Sequence, residues 1–357
     1  MSVAGMVTAK ELAAMLAQNI EAVCAQVLPA GKKQGSEYVD AKTSAGGLGD
    51  SMKVHLSGAK RGTFAHFGNG AAGSKGDALD LVAYVLCGGD KKRAFAWGRA
   101  FLGLDNIDPK QLERRRVAAR KSAADAEKRA EAEARGKRAA AWRIFQAAIP
   151  IKRGDLVDRY LLGRGIDLRL LPRAPRCLRL HPSLENPEDG VCYPAMVALI
   201  GAPLSSNKGF AGIHRTWLEE RADGSVGKAP MDNPKMSLGP YQGGCIHLTR
   251  GVSEQRFRDA TGTIHISEGI EDGLSVAVAM PEVRVAVAVS LSMLASLELP
   301  AGIEEVCIIG QNDAGGSLAA AQVQRAAQAF IAQRRRVRLP RPPEGVKDVN
   351  ELLQAKG

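Results

Sequence analysis

The chain has no apolar run that could span a bilayer. Runs such as Val283 to Val289, broken by Arg284, fall far short of the ~20 residues a transmembrane helix needs. The opening MSVAGMVTAKELAAMLAQNI lacks the basic start, apolar core and cleavage site of a secretory signal. Cysteines Cys24, Cys87, Cys177, Cys192, Cys245 and Cys307 are scattered, with no C-x-x-C and no regular spacing. That argues against a disulfide framework and for structural thiols in a reduced, cytoplasmic protein. A phosphate loop is also missing. GNGAAGSKGD (68–77) runs Gly-Ser-Lys-Gly where Gly-Lys-Ser/Thr is required, and so reads as a flexible turn. With no nucleotide motor, the chain is not itself a helicase.

What remains is a chain of 357 residues with ordinary apolar content, enough for two or three domains with real cores. Its formal net charge is +11, and residues 110–143 hold 12 Lys/Arg against 5 Asp/Glu. Such a segment reads either as a solvated helix or, with a polyanionic partner, as a phosphate-contacting one with salt-dependent binding.

The order of elements follows from pattern. Residues 1–26 read as helical, with Thr8 and Glu11 forming a capping box. SEYVDAKT, SMKVHLS and GTFAHFGNG alternate as short strands with Gly-rich turns. A helix entered at Asp77 and stopped by Gly88-Gly89 follows them. Residues 108–147 are dominated by helix formers and polar on nearly all sides, as in a helix that bridges domains. A run of short strands with polar turns leads to the most informative stretch. There a strand, Thr263 to Ser267, ends on Glu268-Gly269 and enters a helix; a second strand, Val306 to Ile309, ends on Gln311-Asn312-Asp313 before an Ala-rich helix, Ser317 to Ala332. Acidic loops at the C-terminal ends of neighbouring parallel strands are where an open α/β sheet builds its site, and two of them can hold a divalent ion.

With the late Lys347-Asp348, this pattern resembles the TOPRIM domain of primases, type I and II topoisomerases and related nucleases. More narrowly, it resembles primase-type TOPRIM proteins of phages, plasmids and other mobile elements. Tyr160 to Ile166, Pro194 to Val197, His214 to Leu218 and Lys235 to Gly239 are similar to landmarks of the subdomain that precedes TOPRIM in such primases. Residues 36–88 more loosely resemble their N-terminal zinc ribbon. Its turns here carry Lys42, Gly46 and Gly68, and His55 and His66 have no Cys partners, so no zinc is expected. The resemblance implies a multi-domain α/β (α+β) chain: a metal-free ribbon-like domain (1–107), a basic helical linker (108–147), a primase-core subdomain (148–261) and a Rossmann-like TOPRIM domain (262–357).

It also implies an activity: a nucleotidyltransferase that makes short RNA primers on single-stranded DNA from ribonucleoside triphosphates, with Mg2+ or Mn2+ and room for a separate replicative helicase. On this reading Glu268 and Asp313 are the catalytic and metal-binding acids, with Gln311, Asp348 and Asp272 as further metal ligands. Glu271 and Asp272 are outer-shell candidates. Arg164, Arg215, Lys228 and Lys235 contact nucleotide or template. Lys53, Arg61, Phe64 and Phe67 offer template contact from the ribbon, the two Phe being equally readable as core. His214 reads as a strand-face hydrogen-bonder. Gln311 departs from the family's Asp-x-Asp pair and brings no charge. Either Glu271, Asp272 or Asp348 compensates, or the site is weak, or it is inactive. Two other classes stay open: a TOPRIM nuclease, and a non-catalytic DNA-binding accessory protein. The five tyrosines lie outside any strand-passage context, which disfavours a topoisomerase.

Overall fold

Helix α1 (Ala9–Gln18) begins at the capping box: Thr8 accepts from the Glu11 N–H and Glu11 returns a bond to Thr8. The computed structural model describes residues 7–40, 52–58, 60–66, 74–105, 107–312 and 317–355. Two units follow one another along the chain, residues 1–133 and 134–357.

In the first unit α1 and α2 (Ile20–Val27) precede strands β1 (Lys32–Gln34), β2 (Glu37–Val39), β3 (Met52–His55), β4 (Phe64–His66) and β5 (Lys75–Gly76). These form one antiparallel sheet in sequence order. Helix α3 (Ala78–Leu86), capped by Asp77, and α4 (Lys91–Phe101) complete the unit. Leu12, Leu16, Ile20, Met52, Val54, Phe64 and Leu81 fill its core. The ribbon histidines have separate partners: His66 bonds the Tyr84 hydroxyl at 2.8 Å, and His55 lies 3.7 Å from Glu37. Helix α5 (Pro109–Ala147) runs across the boundary between the units. In its first part, Arg116 and Arg120 pair with the buried Glu11 at 3.2 and 2.6 Å, so some of the basic run is neutralised internally.

The second unit has two sheets. After β6 (Ile149–Pro150) and α6 (Leu156–Leu162) come β7 (Leu178–Glu185), β8 (Cys192–Gly201), β9 (Phe210–Glu220), β10 (Val226–Lys228) and β11 (Lys235–Leu238). They make an antiparallel sheet ordered β10-β9-β8-β7-β6, with β11 also on β9. Next come β12 (Ile246–Arg250), β13 (Gly262–Ser267), α7 (Ile270–Ala279), β14 (Arg284–Val287), α8 (Leu291–Leu294), β15 (Ile303–Ile308), α9 (Leu318–Ala332), β16 (Arg336–Arg338) and α10 (Val349–Gln354). This sheet is ordered β12-β14-β13-β15-β16 and is parallel except where β12 meets β14. The chain is thus mixed α/β with a largely parallel C-terminal sheet.

One apolar core joins both sheets, running from Tyr160, Leu161 and Ile200 to Leu274, Val285 and Val287. Helix α7 is buried along most of its length because Gly273 lets it lie against the sheet: a Cβ there would stand 2.7 Å from Ser267 Oγ and 2.8 Å from Leu248. On the other face of the antiparallel sheet, Trp217 is fully buried and donates its indole N–H to the Leu184 carbonyl at 3.0 Å. Trp217→Ala should therefore destabilise the unit by about 3–5 kcal/mol, the range for emptying a buried aromatic site. Urea unfolding followed by circular dichroism is the check.

Candidate functional site

Strand order places the site. From β13 the chain crosses through α7 to β14 on one side, then through α8 to β15 on the other. The reversal leaves a crevice at the C-terminal ends of β13 and β15, where open α/β sheets take their ligands. Glu268 follows β13, and Gln311 and Asn312 follow β15. A cavity of about 240 Å3 opens here. Its acidic side holds Glu268, Asp272 and Asp348, with Gln311 and Asn350; its basic side holds Arg164, Lys228 and Lys235, with His214.

On the acidic side, Gln311 donates its amide N–H to Asp272 at 3.0 Å, and the Asn350 backbone N–H reaches the other Asp272 oxygen at 3.3 Å. An ionised carboxylate only accepts, so the amide nitrogen must be what faces it. Burial pushes the Asp272 carboxyl upward and the Asp348 charge adds to the rise, against those two hydrogen bonds. Asp348 caps α10 by accepting from the Glu351 N–H at 2.8 Å. Asn350 is buried and donates to the Arg164 carbonyl at 2.9 Å and to Ser275 Oγ at 3.0 Å. Asn312 gives its amide to the carbonyls of Pro342, Pro343 and Val346, which ties the loop carrying Asp348 to the end of β15. Glu268 lines the cavity, with the Leu291 N–H 3.4 Å from one oxygen.

On the basic side, the buried Glu271 carboxylate is the hub. Lys235 lies 2.9 Å away, Lys228 3.9 Å, and the Tyr160 hydroxyl donates at 2.8 Å. Burial alone would raise this carboxyl, but Lys235 and then Lys228 outweigh it and hold it near 2. Burial, with Lys235 alongside, pushes the Lys228 ammonium down to about 8. His214 bonds Ser237 Oγ at 3.0 Å, and burial followed by the charge of Lys235 pushes it to about 4. It is therefore neutral at physiological pH. Val289, β-branched, lines the cavity at φ +72°, a conformation that costs of order 1–3 kcal/mol and tends to persist at functional sites.

Of the residues singled out from sequence, Glu268, Asp272, Gln311, Asp348, Arg164, Lys228 and Lys235 line this one cavity. Asp313 and Phe67 lie outside the described residues. Arg215 does not line it: alternation along β9 turns it to the opposite face, where it lies over Trp217 at 4.9 Å. Lys53 pairs with Glu37 at 3.2 Å, Arg61 donates to the Gln18 carbonyl, and Phe64 is core. Among the described residues, no three His, Cys, Asp or Glu are grouped so as to hold a metal ion. Tyr160, Asn312 and Asn350 were not anticipated as site residues. Their sequence signals are that Tyr160 opens the landmark Tyr160 to Ile166, Asn312 sits between Gln311 and Asp313, and Asn350 follows Asp348 by two residues.

Comparison with known families agrees with the C-terminal sheet. Residues 263–357 match the model described as the Toprim domain, and this segment is a Toprim domain. Residues 135–248 match a domain of unknown function (DUF7146). No curated protein matches the chain. Among solved structures, the zinc-binding and RNA polymerase domains of the Aquifex aeolicus primase are similar at 16% identity and TM-score 0.38, over 98% of this chain and 83% of that one. A DNA primase domain from Pseudomonas aeruginosa gives 18% and 0.34, over 63% and 75%. The E. coli primase catalytic core gives 12% and 0.35, over 62% and 75%.

Asp272 yields a test of the site's electrostatics. A carboxyl whose pKa is raised on folding binds its proton more tightly in the folded state, so stability is lost as pH rises from the ordinary carboxylate value through the raised one. Asp272→Asn removes that loss. It should melt higher than the parent at pH 7, with the difference closing as pH falls below about 4, in calorimetric scans across pH.

Proposed function

We propose that this chain is a primase-type nucleotidyltransferase that makes short RNA primers on single-stranded DNA in the replication of a phage, plasmid or other mobile element. The observation that carries this reading is the facing of two walls. Acids at the Toprim strand ends and cations from the preceding segment converge on one cavity.

Primer synthesis joins a 3′-hydroxyl to an α-phosphate and expels pyrophosphate, and negative charge builds on phosphate oxygens in the transition state. Arg164 suits bidentate contact with those oxygens, while Lys228 and Lys235 act as point charges. On this reading Glu268, at the turn after β13, accepts the hydroxyl proton. His214 is neutral and has no proton to spare near pH 7. Glu268, Asp272, Asp348, the Gln311 amide oxygen and Asp313 are all hard oxygen donors, the set that suits Mg2+ or Mn2+. The Asp348 charge bears unfavourably on Asp272, which a cation between them would relieve. The ion's contribution is to neutralise charge on the transferring phosphates. Lys53 and Arg61 in the ribbon-like domain (1–107), together with the basic linker (108–147), serve the template. The primase-core subdomain (148–261) supplies the basic wall and residues 262–357 the acidic one. The setting is cytoplasmic, with a separate helicase opening the duplex; among the described residues no helix is long and apolar enough to cross a membrane.

Gln311 favours a second reading, a non-catalytic single-strand-binding accessory protein, because it removes one charge from the acidic wall. Primer synthesis on circular single-stranded DNA with labelled ribonucleotides separates the two. With Mg2+ or Mn2+ the parent should give short products, and Glu268→Gln should lower their yield at least ~100-fold, as loss of a general base does. Single-strand binding without products in either metal would leave the accessory reading, and nicking of plasmid DNA would indicate a nuclease.

A further inference from the structure

Two lysines project from neighbouring short strands into the same half-buried space. Lys228 on β10 stands opposite Leu218 of β9, and Lys235 on β11 stands opposite Thr216, so both lie on the face of β9 that carries His214. Like charges at this spacing repel, and partial burial sharpens the repulsion. What sits between them is Glu271, from the first turn of α7 in the Toprim domain. Its side chain is only 8% exposed and is held on a third side by Tyr160 of α6. The carboxylate belongs to one matched family segment, and its three partners to the other. A buried acid so fully engaged is poorly placed to bind a metal ion or receive a proton. Its effect must be exerted on the lysines.

We propose that Glu271 is a positioning residue that sets the placement of the Lys228–Lys235 pair and the charge of Lys228, so that the pair stands ready for the phosphate chain of a nucleoside triphosphate. This rests on the nucleotidyltransferase reading above. Lys235 is anchored directly. Lys228, farther from the carboxylate, lines the cavity; burial, Lys235 and Arg164 work against its charge, and Glu271 works for it. The groups facing Lys228 are thus Lys235 from β11, Arg164 from the turn after α6, Glu271 from α7 and the neutral His214 from β9. Among the described residues, Glu271 is the acid that bears on Lys228 directly, while Glu268, Asp272 and Asp348 line the same cavity. Removing its charge would let the Lys228 proton leave at lower pH and weaken triphosphate binding near neutrality.

The test is calorimetric titration of the full chain with ATP in metal-free buffer between pH 6.5 and 9. In the parent, affinity should fall as pH rises through about 8, where Lys228 loses its proton. In Glu271→Gln, which retains an oxygen to accept from Tyr160, the fall should move about one unit lower, leaving affinity about three-fold weaker near pH 7.5, about ten-fold weaker near pH 9 and largely restored at pH 6.5. Lys228→Arg should flatten the pH dependence in both backgrounds, since arginine does not titrate in this range. Should Glu271→Gln fail to fold, Glu271→Asp keeps the charge and should keep the parental profile, while Lys228→Arg still tests which group titrates. A Glu271→Gln profile superimposable on the parent's would overturn the proposal and reduce Glu271 to a structural strut. A parent that binds no ATP at any pH would overturn the nucleotidyltransferase reading as well, so the two failures are distinguishable.

Discussion

The ion-paired carboxylate of Glu271 is the constraint on which the second unit depends. An acid on α7 can be this buried only if positive charge comes to it, and that charge is carried by Lys228 and Lys235 on strands of a different sheet. Helix α7 cannot lie close to its own sheet without Gly273, and cannot bury its first turn without the lysines. The shared apolar core brings the two sheets together, but apolar packing is non-directional. The Glu271 cluster supplies direction, fixing which edge of the antiparallel sheet faces the Toprim strand ends.

That arrangement gives the cavity its polarity. Asp272, the next residue on α7, is turned toward Gln311 and Asn350, while Glu271 is turned toward the lysines. Two consecutive acids therefore serve opposite walls. The segment matched only as a domain of unknown function contributes Arg164, His214, Lys228 and Lys235, so it is half of the cavity rather than an appendage to it. The strained backbone at Val289 and the raised carboxyl of Asp272 lie in the same place. Fold stability is sacrificed there, a pattern typical of sites kept for chemistry.

Much of this was legible from local pattern. The Thr8/Glu11 capping box, the helix entered at Asp77 and the helix from Ser317 to Ala332 all read from short-range rules, and all stand within a residue or two in the structure. The strand ends bearing Glu268 and Gln311 were visible because an apolar run stopping at an acidic turn is a local signal. What could not be read was orientation and long-range pairing. His214 and Arg215 are neighbours in sequence, yet one lines the cavity and the other lies over Trp217, because alternation along a strand sends adjacent side chains to opposite faces. Glu271 and Tyr160 are 111 residues apart, and no periodicity links them. Phe64 shows the same gap, since an aromatic residue on a short strand reads equally as surface or core until the opposing helix is known.

Gln311 acquires a meaning here that its side-chain chemistry alone did not convey. As a neutral substitute for an acid, it reads simply as a missing charge. In the structure its amide N–H is committed to Asp272 at 3.0 Å, with Asp348 also bearing on that carboxylate. An aspartate at 311 would bring a further negative group beside a partly buried carboxyl already pushed upward, and it would have no hydrogen to offer. Gln311 instead satisfies one oxygen of Asp272 and favours its ionised form. The charge absent at 311 is thereby matched by a charge better kept at 272, so the acidic wall is rearranged rather than merely diminished.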